Sequence, residues 1–171
     1  VSRPQRIDWP VLVKHSGEDG YRSKVWIATG DDESDVPIAA AIAAAGAQEV
    51  ERHWLWTLDK PSLDKDQDLL IAEWQRRSEG RLGEALIEQL VVQIRSYRPR
   101  VVVLEQPPAD DALAAILNDA ARRAIAAATD PTRLTHLGES LNLEPWRVER
   151  VYERLGEGSR GDYSIDEFEL L

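Results

Sequence analysis

The chain has 171 residues, 43% of them hydrophobic and 30% charged, with a formal net charge of -10 and a pI near 4.8. That composition fits one globular domain with a real core, and an acidic surface without a dense Lys/Arg cluster excludes a phosphate-backbone partner such as nucleic acid. With Cys 0 there is no disulfide, thiol nucleophile or thiolate metal site, and with neither a membrane-length apolar run nor a secretory leader the expected location is cytoplasmic, with no membrane partner. Met is also absent, the initiator included, so the amino terminus is not defined by the sequence.

From the amino end, Trp9-Pro10-Val11-Leu12-Val13 followed by Ser16-Gly17-Glu18-Asp19-Gly20 predicts a strand and a hairpin turn. Val25-Trp26-Ile27-Ala28-Thr29 predicts a second strand, stopped by the acidic loop Gly30-Asp31-Asp32-Glu33. Ser34-Asp35 ahead of Val36-Pro37 supplies a cap with proline in the first turn, so a helix runs through the alanines to Ala45 and ends at Gly46. A strand from about Val50 to Leu58 follows from the alternation of polar and apolar side chains. Asp64 to Tyr97 is helical in period, through Leu69, Leu70 and Trp74 and then Leu82, Leu86, Leu90 and Ile94. Ser78-Glu79-Gly80 divides it into two helices, because glycine costs about 1 kcal/mol relative to alanine in a helix interior.

Val101 to Leu104 is a continuous apolar run, the form of a central strand covered by helices on both faces. Asp110-Asp111 caps the next helix, which reaches about Thr129 and is stopped by Asp130-Pro131. Val148 to Tyr152 predicts a last strand, and 153–171 form a tail with a loop from Gly156 to Gly161 and a short strand or helical turn from Tyr163 to Leu171. Strands alternating with helices predict an α/β fold with a mostly parallel central sheet and helices on both faces. No linker or internal repeat divides the chain, so 1–171 reads as a single domain.

Five features in this order resemble the PIG-L/LmbE-like family of zinc-dependent N-acetylglucosaminyl deacetylases, over roughly Lys24 to Tyr152. They are the strand-end loop Thr29-Gly30-Asp31-Asp32-Glu33, the alanine-rich helix and strand Ile38–Ala45 and Glu51–Trp56, the run Arg98-Pro99-Arg100-Val101-Val102-Val103-Leu104-Glu105-Gln106-Pro107, then Asp130-Pro131-Thr132-Arg133, and Pro145-Trp146 through Val151-Tyr152. The resemblance implies a Rossmann-like three-layer sandwich and a site at the carboxyl ends of its strands. It also implies a metal held by an H-P-D-D/E loop and a later H-P-D-H loop. This chain has no H-P-D-D, and the matching later segment, Gln106-Pro107-Pro108-Ala109-Asp110-Asp111-Ala112-Leu113, contains no histidine. Catalytic zinc needs three protein ligands, an open water position and a base. No catalytic residue and no metal ligand is therefore assigned.

The candidate pocket is Gly30, Asp31, Asp32, Trp56, Glu105, Gln106, Asp110 and Asp111. Each has a structural reading beside the functional one. Asp31, Asp32 and Glu33 either line a strand-end pocket or cap the following helix, and Asp110 and Asp111 divide in the same way between orienting a ligand and capping. Glu105 is either an acid in a dry pocket or a hydrogen-bonded structural carboxylate. Trp54, Trp56 and Trp74 form a platform for a sugar ring or fill the core. His15, His53 and His136 lack paired-ligand spacing and read as surface histidines. No G-x-G-x-x-G, Walker sequence or G-x-S-x-G elbow is present.

The expected function is that of a noncatalytic deacetylase-like bacterial domain binding a small polar or sugar-like ligand, or a partner, without a cofactor. The alternative is a zinc-dependent hydrolase of N-acetylated sugars whose metal-binding segment lies outside this chain. A third reading is an oligomeric structural domain, for which six tryptophans and the apolar 36–45 helix offer homo-oligomer interface material.

Overall fold

The computed structural model describes residues 1–29, 35–52 and 66–154, which fall into two compact units, the first holding 1–29 with 35–52 and the second 66–154. Both mix helices with short parallel strands.

In the first unit, the expected Trp9–Val13 strand is a helix, α1 (Trp9–Leu12), running into a π-helical turn over Val13–Glu18. Asp8 decides this: its carboxylate accepts a hydrogen bond from the Val11 N–H at 3.3 Å, and Pro10 sits in the first turn, where its fixed φ suits a helix and its missing N–H costs nothing. The π turn closes through the Asp19 N–H to the Lys14 carbonyl at 2.9 Å. Next come β1 (Lys24–Ile27), α2 (Asp35–Ala44) and β2 (Glu49–Arg52), with β1 and β2 parallel and Lys24 opposite Glu49. Residues 53–58 of the expected longer strand lie outside the described residues.

The core of this unit is Ile7, Ile27, Ile42 and Ala47, packed by Trp9, Leu12, Val25, Ile38 and Val50. Gly46 ends α2 at φ +94°. A Cβ there would lie 2.5 Å from the Gly17 nitrogen and 2.6 Å from its Cα, so glycine is required by both conformation and space.

The second unit begins with α3 (Gln67–Arg77), capped by Asp66, whose carboxylate accepts from the Asp68 and Leu69 N–H groups. The expected break is present: Glu79 and Gly80 both take positive φ before α4 (Leu82–Tyr97). Arg98, in the left-handed region at φ +55°, turns the chain from α4 into β3 (Val101–Leu104). Asp111 caps α5 (Ala112–Thr129), accepting from the Ala114 N–H at 2.9 Å. A seven-residue helix, α6 (Thr135–Leu141), was not anticipated; its Leu137 is buried, and Gly138 in its middle hides the periodic signal. Then β4 (Arg150–Glu153) pairs parallel with β3, Val101 opposite Arg150 and Leu104 opposite Glu153.

The core of this unit is the α4–α5 contact together with Leu70 and Trp74 of α3. Within it lies Arg95, only 2% exposed, whose guanidinium donates to the carbonyls of Ala127, Ala128, Asp130, Arg133 and Leu134 at 3.1–3.5 Å. It satisfies the orphan carbonyls at the end of α5 and ties the turn before α6 to α4.

One expectation is corrected here. β3 does not have the environment of a central strand covered on both faces. Val102 and Leu104 are buried, whereas Val101 and Val103 are 46% and 44% exposed, and among the described residues β3 pairs only with β4. The valines reflect strand propensity, and burial alternates along the strand, with Val102 and Leu104 on the covered face. The described strands form two two-stranded parallel sheets, β1–β2 and β3–β4. The tail expectations for 156–171 lie outside the described residues.

Candidate functional site

The described part of the candidate site is the carboxyl end of the β3–β4 pair. Glu105, half-buried, follows directly on β3, and the Arg154 N–H beyond β4 donates to the Leu104 carbonyl at 2.9 Å, so the two strands end side by side. Over this end α5 projects Asn118 and Arg122, four residues apart on one helix face. Asn118, 9% exposed, donates through Nδ2 to the Glu105 carbonyl at 2.6 Å and to Glu153 Oε1 at 3.4 Å. Its Oδ1 accepts from Arg122 Nε at 2.8 Å, and Arg122 Nη2 meets Glu153 Oε2 at 2.5 Å. A buried amide thus fixes a half-exposed guanidinium and carboxylate that face solvent at the strand ends.

The loop from Glu105 to Asp111 is held at its far end. The Asp111 N–H donates to the Pro108 carbonyl at 3.1 Å, its carboxylate caps α5, and the Asp110 carbonyl accepts from Gln67 Nε2 at 3.4 Å. The capping reading of Asp111 is therefore the observed one, while Gln106 and Asp110 carry exposed side chains beside the network. The structure brings Glu105, Gln106, Asp110 and Asp111 onto one loop. Gly30, Asp31, Asp32 and Trp56, with Glu33, His53 and Trp54, lie outside the described residues.

The other residues singled out have structural surroundings. Trp74, 1% exposed, fills the second unit's core and is no sugar platform. Thr29 is buried, its hydroxyl and N–H both donating to the Ser2 carbonyl at 3.0 Å. Asp130 closes its own turn by accepting from the Thr132 N–H and hydroxyl at 2.8 and 2.7 Å, which together hold its carboxyl below the usual range. Trp146 is pinned between elements: its ring N–H donates to the Pro99 carbonyl at 2.8 Å and its backbone N–H to Ala128 at 2.9 Å. The Asp130-Pro131 and Pro145-Trp146 pieces are thus joints of the scaffold around α5.

Zinc is the metal that the resemblance implies, and the described residues do not fit it. His15 Nδ1 lies 3.1 Å from Asp19 on the π turn of the first unit, and His136 Nε2 lies 2.9 Å from Glu88 in the second, so each is paired with a carboxylate of its own unit. Asp111 is spent on its cap, and among the described residues no group of three or more His, Asp or Glu is placed to hold one ion. A shallow depression of about 430 Å³ between α3, α4 and α5, lined in part by Gln75, Gly83 and Asp119, shares none of the candidate residues. No described helix is long and apolar enough to cross a membrane. No protein-family model matches the chain, and no curated protein matches it.

Proposed function

We propose that this chain is a PIG-L/LmbE-like, Rossmann-like protein with a degenerate deacetylase site, which binds a small polar, sugar-like ligand at the carboxyl end of β3. The observation that carries the reading is the Glu105–Asn118–Arg122–Glu153 network: fixed donors and acceptors gathered where parallel α/β strands end, the usual location of ligands in such sheets. Parallel pairing in both sheets, with one helix between β1 and β2 and two between β3 and β4, supports the fold part of the proposal. What supports the noncatalytic part is the sequence itself, without H-P-D-D and without histidine between Gln106 and Leu113.

The ligand would meet both kinds of polar group. Arg122 offers N–H donors, the partly exposed Glu153 carboxylate beside it offers an acceptor, and Asn118 holds the frame without contacting solvent extensively. A polyhydroxyl ligand uses both kinds at once.

The test is titration of the full chain with N-acetylglucosamine, followed by amide chemical shifts, together with zinc analysis and an acetate-release assay on the same preparation. The reading expects saturable shifts in residues 104–111, 118–122 and 153, weakened by Arg122→Ala, with neither zinc nor acetate release. Absence of shifts up to millimolar sugar would remove the ligand class. About one equivalent of zinc accompanied by acetate release would replace the reading with the metal-dependent hydrolase.

A further inference from the structure

We draw no further inference here: the strongest candidate, the exposed Val101 and Val103 face of β3 in the second unit, is an unpartnered apolar face on a strand of four residues, and nothing in the structure shows what covers it.

Discussion

Replacing Arg95 by methionine keeps most of the buried stem and removes the guanidinium, so it isolates what the charged head contributes. Five backbone carbonyls receive that head, but only the contacts to Asp130 and Arg133, at 3.1 Å, fall inside the ordinary N–H···O range. The contacts to Ala128, Ala127 and Leu134, at 3.3, 3.4 and 3.5 Å, lie beyond it. Two charge-assisted bonds at about 1.5–3 kcal/mol each give roughly 3–6 kcal/mol. Methionine recovers part of this, since the buried guanidinium no longer has to be desolvated, leaving an expected net loss of about 2–4 kcal/mol. Arg95→Lys keeps a charge but not the planar fork that reaches both α5 and the following turn, and falls between parent and Met. Urea unfolding followed by far-UV circular dichroism gives the free energies, and residue-resolved hydrogen exchange over 134–142 reports whether α6 loosens first. An Arg95→Met chain within about 0.5 kcal/mol of the parent, with unchanged exchange in α6, would show that the guanidinium is not what holds this turn.

Gly46→Ala should destabilise the first unit by more than the ~1–2 kcal/mol of a left-handed backbone alone, because its Cβ meets backbone atoms of Ser16 and Gly17 at 2.5–2.6 Å. Gly20→Ala, at φ +71° with nothing within 4 Å, should show only the backbone part; equal urea midpoints for the two would refute the steric argument. Asp111→Ala should lose about 1 kcal/mol by the same assay, the usual worth of an N-cap, and a neutral result would free Asp111 for the ligand role. The hydrogen bonds from Arg76 and Arg77 hold the Glu73 carboxyl at about 2 against an ordinary 4.5. Because the folded value is the depressed one, this contribution is present above 4.5 and is lost as pH falls toward 2. Urea midpoints measured through that window should fall less steeply for Glu73→Gln than for the parent, and parallel curves would count against the pairing.

Element types in the second unit were largely readable because their signals are local. The Ser78-Glu79-Gly80 break, the Asp111 cap and the Arg98-Pro99 turn each act within a few residues of where they stand. The Trp9–Val13 misreading has the same origin. Aromatic and β-branched residues favour a strand by composition, but Asp8 and Pro10 mark a helix start, and proline inside a strand should have lowered that reading. What could not be read was how many neighbours a strand has: Val101 to Leu104 has the same composition whether one face or two are covered.

The site divides along the same line. Glu105, Gln106, Asp110 and Asp111 are contiguous with the strand they follow, so their neighbourhood could be placed from the order of elements. Asn118 and Arg122 were within reach in principle, since a four-residue spacing sets two polar side chains on one face of a helix that buries Leu113, Leu117 and Ala120. Glu153 was not, because it lies 35 residues beyond Asn118 and reaches the network only through the parallel register of β4 on β3. A binding surface made only of the β3 loop would rest on that loop alone, whereas one fixed by Asn118 is tied to α5 and both strand ends. Preorganisation of that kind would lower the entropic cost of holding a ligand, which is why the proposed recognition rests on the network and not on the acidic loop alone.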